Sequence, residues 1–367
     1  MKKPRFLYIF LVLIFLLPAS IGAIDIGLVV NEYFGYSNPR GFEFRAGIVP
    51  RASILIGENS NIFFSAEFEV GKKDGAYYHS ERMNFLRTEF STVMGPWGFR
   101  IGRFNYSDPL TFAAEGLFDG VQLTHTNFLG RTSIGAWYSD TYNLLAAIEW
   151  EHPSVMDLFQ FKASYTGNID VSFASSTDKF HSHFFTFKAG LPISSFLIEV
   201  GGVHEVTRTE EAGVPDTYAQ ALAFELGFYW TLPTSFPSRL SFIGRTALGP
   251  FVPVRPKHYG EIFTASLSGI TIITLDYTAR VFRQLGAGVT ASYYIRNDID
   301  VPNSFPIAGG NNGQMLGGEV STKIVWNPFS DLQFILGAGA FFPAMGNNWP
   351  NIDPLWRIDL TLILAVL

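Results

Sequence analysis

Residues 62–70 of the chain read IFFSAEFEV. The even-numbered positions of this stretch are all apolar, whereas Ser65, Glu67 and Glu69 are polar. A period of two is that of a β-strand with one apolar and one polar face. The pattern recurs at 316–324 and 356–362, and no stretch beyond the N-terminal segment has a convincing helical period. The sequence therefore predicts an all-β fold.

The composition is unusual for a water-soluble protein. Of the 367 residues, 47% are hydrophobic and only 16% are charged, and the mean hydropathy is +0.18. Outside the N-terminal segment, no apolar run reaches the roughly 20 residues that a transmembrane helix needs. The chain has no cysteine, which excludes disulfide scaffolds, thiolate metal sites and a cysteine nucleophile. These features favour a membrane protein without transmembrane helices.

The first 23 residues predict a secretory signal peptide. Lys2, Lys3 and Arg5 precede an apolar segment at 6–17, and small residues follow up to a cleavage position after Ala23. The apolar segment, at about 12 residues, is too short to cross a bilayer as a helix. Cleavage leaves 23 Lys+Arg against 32 Asp+Glu, a net charge of −9. This negative charge argues against nucleic acid as a partner.

Connections in residues 24–367 alternate between short polar turns and longer segments. The longer segments are 71–80, 104–118, 168–182, 208–216, 249–268, 297–314 and 343–354. The turns separate about 18 strands, and an even number returns both termini to the same side, as closed outer-membrane barrels require. We predict one domain, a transmembrane antiparallel up-and-down β-barrel of about 18 strands (16–18) with short periplasmic turns and long extracellular loops.

A soluble β-sandwich would also alternate polar and apolar residues, so the two architectures have to be distinguished. Large aromatic residues occupy the apolar face along the whole chain, and the polar face carries charges that a dry core does not accept unpaired. Lipid outside and water inside satisfy both faces, and a closed barrel leaves no free strand edge. We expect Trp230 and Trp356 in interfacial aromatic belts. The predicted location is the bacterial outer membrane.

The charged face of the strands predicts the lining of the lumen. Because positive and negative residues nearly balance there, no filter of a single sign is expected. Most of these side chains should pair with opposite charges on neighbouring strands. The predicted lumenal residues include Arg45, Glu67, Glu89, Arg280, Lys323 and Arg357.

One long segment, 104–118, is too apolar in its middle to lie in water as a surface loop. We expect it to fold into the barrel, where apolar atoms pack on the wall and acids face water. Opposed charges across a narrow gap would orient polar solutes. The predicted pore constriction places Asp108 and Glu115 opposite the lumenal arginines Arg87, Arg100 and Arg245.

Two short stretches resemble a known family. The sequence FRIGR at 99–103, followed by a loop and FDGV at 118–121, resembles the strand–loop–strand unit of bacterial outer-membrane porins, in particular the alginate-export and substrate-specific groups. Residues 316–320 with 332–343 are similar to the last hairpin of alginate-export-like barrels. The resemblance implies an outer-membrane porin that interacts with the outer-membrane assembly machinery. Leu367 stands where such barrels usually end in an aromatic residue.

Three functions are compatible with such a barrel. A passive channel for small hydrophilic solutes is favoured, because barrels of about 16–18 strands leave an aqueous lumen. An adhesin or structural barrel with a closed lumen is the alternative, and a lipid-acting barrel enzyme is the third. His181 and His183 share a strand face, but no third metal ligand has a recognisable spacing. We therefore predict no catalytic residues, no metal and no cofactor. A homo-oligomer is compatible with the sequence.

Overall fold

The structure is a computed structural model that describes residues 21–38, 40–73, 75–79, 83–140, 143–152, 159–172, 178–211, 213–298, 313–346 and 353–366. Residues 1–20 of the predicted signal peptide, 1–23, lie outside the described residues, and the first strand begins at Ile21. Within the described ranges, no helix is long and apolar enough to cross a membrane.

The residues described contain nineteen strands and one short 3-10 helix, Pro343–Met345. The strands are β1 Ile21–Asn38, β2 Gly41–Ile56, β3 Ser60–Lys73, β4 Ala76–His79, β5 Asn84–Met94, β6 Trp97–Ser107, β7 Glu115–Asn127, β8 Gly130–Asp140, β9 Asn143–Glu151, β10 Gln160–Asp170, β11 Lys179–Ile193, β12 Phe196–Glu210, β13 Thr217–Leu232, β14 Ser238–Leu248, β15 Ile270–Phe282, β16 Leu285–Arg296, β17 Met315–Phe329, β18 Leu332–Phe342 and β19 Leu355–Val366.

These strands form one closed antiparallel barrel. Each barrel strand pairs with the next along the chain, and β1 pairs with both β2 and β19, which closes the sheet. The short β4 pairs with β3 alone, as a hairpin extension, while β3 continues the barrel through β5. The barrel itself therefore has 18 strands, and the predicted up-and-down architecture is confirmed.

The connections divide between two ends of the barrel. The end that carries the longer connections, including 108–114, 249–269 and 297–314, is called the long-loop end here. The opposite short-turn end carries two-residue turns such as 95–96, 128–129 and 283–284, together with the first residue of β1 and the last residue of β19. Three connections differ in length from the predicted alternation. The connections 39–40 and 141–142 are short although they lie at the long-loop end, and 152–159 is long although it lies at the short-turn end.

The two faces of the strands differ as predicted. In β13, Ala221, Ala223 and Glu225 are buried inside the barrel, whereas Leu226 and Phe228 on the alternate positions are each 43% exposed. Apolar side chains that alternate outward around a closed sheet provide the lipid-facing surface of a transmembrane barrel. Charged side chains such as Glu225 and Arg245 face the lumen.

Aromatic pairs lie on the outward face near both ends. At the short-turn end, the ring of Trp230 stacks on that of Phe196 with centroids 5.4 Å apart. At the long-loop end, the rings of Trp356 and Tyr36 lie 5.5 Å apart. Amphipathic aromatic rings favour the headgroup level of a bilayer, so their positions match those of two interfacial belts.

Candidate pore constriction

In the part of the chain that the structure describes, two connections at the long-loop end fold into the lumen. The first is 108–114, called the inner loop here, and it joins β6 to β7. The loop is shorter than the predicted segment 104–118, because β6 continues to Ser107 and β7 begins at Glu115. Leu110, Phe112 and Ala113 of the inner loop are almost completely buried. Its predicted position inside the barrel agrees with this geometry.

The Asp108 side chain fixes the shape of the inner loop. One carboxylate oxygen accepts hydrogen bonds from the backbone N–H groups of Ala113 and Ala114, both at 2.9 Å, and the other accepts from Leu110 at 3.1 Å. The side chain is 2% exposed. Burial raises the pKa of Asp108 above its ordinary value, while the backbone N–H groups act in the opposite direction. Asp108 is therefore part of the inner loop, and its carboxylate stabilises the backbone conformation of that loop.

Replacing Asp108 with alanine should destabilise the folded protein. Three buried N–H groups would lose their acceptor, and leaving one such group unsatisfied costs about 1–3 kcal/mol before the loop relaxes. Asp108→Asn keeps the oxygen that two of them use and should cost clearly less. Denaturant unfolding of both variants in detergent measures the difference. Equal stability of Asp108→Ala and wild type would show that the inner loop does not depend on this carboxylate.

The second inward connection is 249–269 between β14 and β15, called the strap here. Phe251, Phe263, Ala265 and Leu267 of the strap are at most 3% exposed. Phe251 packs edge-on against Phe184 of β11, with ring centroids 6.1 Å apart. The interior of the barrel therefore contains an apolar core built from the strap, the inner loop and the adjacent wall.

The strap and the inner loop meet inside the lumen. The backbone N–H of Val254 donates to the carbonyl oxygen of Ala113 at 2.8 Å. The Lys257 ammonium donates to the Thr111 hydroxyl at 2.8 Å and forms an ion pair with Glu115 at 2.8 Å. Because these segments start from well-separated parts of the barrel wall, their contact forms a bridge across the lumen. Glu115, Lys257 and Arg255, whose guanidinium lies over the ring of Phe118, are partly exposed charges of the bridge.

Two cavities in the lumen are lined in part by the strap or by the inner loop. The larger has a volume of about 830 Å³, and the strap contributes Glu261 and Ile262 to its lining. The smaller, of about 450 Å³, lies against β6 to β12, and Asp108 and Thr111 of the inner loop line it. Both are bounded mainly by lumenal residues of the strands. The two inward segments thus narrow the lumen.

The three arginines predicted at the constriction all have acidic partners. Arg87 and Arg100 both bind the carboxylate of Glu89, each with a closest distance of 2.7 Å, and Arg100 also lines the smaller cavity. Arg245 binds Glu225, its direct neighbour across β13 and β14, at 2.7 Å. Arg245 also lies over the ring of Tyr259 in the strap, 5.2 Å from its centroid.

The other predicted lumenal residues face the interior as well. Arg45 lies 3.4 Å from Glu43, and Arg357 lies 2.9 Å from Asp359. Arg280 donates to the carbonyl oxygen of Arg283. Glu67 lies beside Gly47 of β2. Four of the six predicted residues, Arg45, Arg280, Lys323 and Arg357, line the larger cavity.

The strap is the element that sequence reasoning missed. The segment 249–268 is predicted only as one of several loops, although it has the same apolar character as 104–118, with Phe251, Tyr259, Phe263 and Leu267. Applying that criterion to every loop would have found the strap. The ion pair between Lys257, one of the charged residues of the strap, and Glu115 could not have been predicted in this way, because no sequence spacing connects the two residues.

The two histidines of β11 lie on the outward face near the long-loop end. Nδ1 of His183 is 2.8 Å from the hydroxyl oxygen of Tyr165, and Nε2 of His181 is 3.4 Å from a carboxylate oxygen of Glu210. In the part of the chain that the structure describes, no group of three or more His, Cys, Asp or Glu residues could hold a metal ion.

Comparison with known proteins gives a consistent fold. No protein-family model matches the chain, and no curated protein sequence is similar to it. Solved structures do match. OccK5 (OpdH) of Pseudomonas aeruginosa superposes with a TM-score of 0.64 at 10% identity, covering 95% of this chain and 99% of that one. OprD of the same organism gives 0.63 at 13% identity, covering 96% and 97%.

A third similar structure contains a bound small molecule. OccK2 (OpdF) of Pseudomonas aeruginosa, solved in complex with glucuronate, superposes with a TM-score of 0.62 at 9% identity, covering 95% of this chain and 99% of that one. At these identities the likeness concerns the fold. The porin-like barrel that the sequence predicted is confirmed.

Proposed function

We propose that the protein is an outer-membrane channel for the passive diffusion of small hydrophilic solutes. The observation that carries this proposal is a closed 18-strand barrel with an apolar outer face and a charged lumen that is narrowed but not filled. Barrels of about this size enclose an aqueous channel. The cavities in the lumen favour a channel over an adhesin with a closed lumen. Catalysis forms no part of the proposal.

The location and orientation follow from the same proposal. Residues 1–23 are removed as a signal peptide, the assembly machinery inserts residues 24–367 into the outer membrane, and the long-loop end faces the outside. Both termini then lie in the periplasm, as is usual for such barrels. A homo-oligomer stays a prediction, which the mass of the purified protein in detergent would test.

The lining of the larger cavity supports a finer proposal, that the preferred solutes carry a carboxylate. Five basic residues and three acidic residues line it. Within the described ranges, Arg239 and Lys323 have no carboxylate within ion-pair distance, so their charges are available to a solute. The similar fold of OccK2, which was solved with glucuronate, is consistent with this solute class.

Swelling of liposomes that contain the purified protein tests both the open channel and its preference for solutes that carry a carboxylate. Liposomes should swell in small sugars, and severalfold faster in glucuronate than in glucose. Arg239→Gln combined with Lys323→Gln should reduce that difference while leaving the glucose rate unchanged. No swelling in any solute would contradict the channel, whereas equal rates for glucose and glucuronate would contradict only the carboxylate preference.

A further inference from the structure

The strap is fastened to the barrel wall by a buried carboxylate. Glu319 of β17 is 3% exposed and belongs to the wall beside the strap. Its carboxylate accepts hydrogen bonds from three consecutive backbone N–H groups of the strap, those of Glu261 at 2.7 Å, Ile262 at 3.3 Å and Phe263 at 2.8 Å. Successive N–H groups that converge in this way form a concave site for an anion. Here the anion is a side chain of the wall.

Side chains pack closely around this contact. Gly260 has a φ of +93°, and a Cβ atom there would lie 2.2 Å from the Tyr294 hydroxyl and 2.9 Å from the Glu319 carboxylate. The ring of Phe263 stacks on that of Phe341, with centroids 4.2 Å apart and an interplanar angle of 7°. The hydroxyl of Tyr294 lies 3.5 Å from the carboxylate of Glu319.

A second buried carboxylate holds the beginning of the strap. Glu205 of β12 is fully buried, and one of its oxygens accepts a hydrogen bond from the backbone N–H of Val252 at 2.9 Å. This contact involves one donor, against the three that converge on Glu319. The part of the strap that reaches the inner loop, from Val254 to Lys257, lies between the two fastenings.

We infer that Glu319 is a positioning residue that holds the strap in the lumen and thereby sets the width of the pore. The inference rests on the proposed channel function. A carboxylate presents only acceptors, so all three N–H groups are satisfied by charge-assisted hydrogen bonds. The amide of a glutamine has the same shape, but its NH2 group would face backbone donors and leave at least one buried N–H without an acceptor.

Glu319→Gln tests this inference in single-channel recordings. The variant should show a larger mean conductance and frequent transitions between levels, because the strap no longer occupies one position. Glu199→Gln is the matched control, because it removes the same charge from the lumen wall. Glu199 forms its ion pair with Lys188 of the wall, at 3.1 Å, and not with the strap. Equal conductance and noise in Glu319→Gln and Glu199→Gln would overturn the inference.

A reversible cross-link distinguishes movement of the strap from a general defect in the barrel. The chain has no cysteine, and the hydrogen bond between Val254 and Ala113 brings their backbones within the range that a disulfide spans. In a Glu319→Gln protein that also carries Ala113→Cys and Val254→Cys, oxidation should restore the wild-type conductance and reduction should abolish it. Persistent noise after complete oxidation would contradict control of the pore by the strap.

Proteolysis provides a measurement that does not depend on conduction. Trypsin should cut after Lys257 on the order of tenfold faster in Glu319→Gln than in wild type, as expected for a local opening equilibrium shifted by about 1.4 kcal/mol. If Glu319→Gln does not fold, Gly260→Ala disturbs the same contact from the strap and should show the same cleavage. Unchanged cleavage in the folded variant would overturn the inference. A silent wild-type channel with accelerated cleavage would contradict only the proposed function.

Discussion

Leu360→Arg should destabilise the folded barrel in a bilayer by about 2–4 kcal/mol, the cost of an arginine on the lipid face near the midplane of a transmembrane barrel. Leu360 lies in the middle of β19, five residues after Leu355 and six before Val366, on the outward face and 39% exposed. Its cross-strand neighbours Phe34 and Leu336 are also outward and apolar. The guanidinium would therefore lie between two apolar side chains on the lipid face, where Glu32 of β1, two residues before Phe34, is also on the outward face.

The adjacent residue provides the control for this prediction. Thr361 lies on the other face of β19 and lines the larger cavity, so Thr361→Arg places the same side chain in the lumen and should cost much less. Reversible denaturant unfolding of both variants in bilayers measures the two free energies. A cost for Leu360→Arg that does not exceed that of Thr361→Arg would contradict the assignment of the two faces.

Glu115→Gln should make the pore more selective for anions. The substitution leaves the Lys257 ammonium, which is partly exposed and only 2.8 Å from Glu115, without its acidic partner at the bridge. We expect a change of about 0.5–1 kcal/mol, or about two- to fivefold in the permeability ratio, the upper range measured for exposed ion pairs. Lys257→Met should shift the selectivity toward cations. The reversal potential in a salt gradient measures both changes.

The matched control for this pair is Glu210→Gln, which removes a charge from the outward face beside His181 and Arg208. It should leave the reversal potential unchanged. The Glu115→Gln shift should also shrink as the salt concentration rises, because exposed charges are screened over about 8–10 Å in physiological salt. The same reversal potential in wild type, Glu115→Gln and Lys257→Met would remove the bridge from the pore.

The strand faces could be predicted from the sequence because their period of two is a local property. Once Glu67 and Glu69 alternate with Phe68 and Val70, the bilayer requires the apolar set to face outward. The same logic placed Glu89, Arg100 and Arg245 in the lumen. The number of barrel strands followed from counting turns, although β4 within the connection 74–83 could not be separated from the barrel strands in that way.

The constriction could be predicted only in part, since its contacts join residues far apart in the chain. The apolar middle of 104–118 indicated a buried loop, but the capping role of Asp108 depends on a backbone conformation that no spacing reveals. The pairing of Glu115 with Lys257 joins two loops more than a hundred residues apart. Glu319 belongs to the alternating pattern at 316–324, but the N–H groups that donate to it come from the strap, whose inward fold was not predicted.

The most direct test of the proposed channel is the current through single copies of the purified protein in a planar lipid bilayer. The proposal predicts stable, stepwise currents that grow in proportion to voltage in a simple salt solution. The conductance of a single step should change in the bridge variants Glu115→Gln and Lys257→Met. A folded barrel that inserts into the bilayer and carries no current at any salt concentration or voltage would contradict the proposal and favour a barrel with a closed lumen.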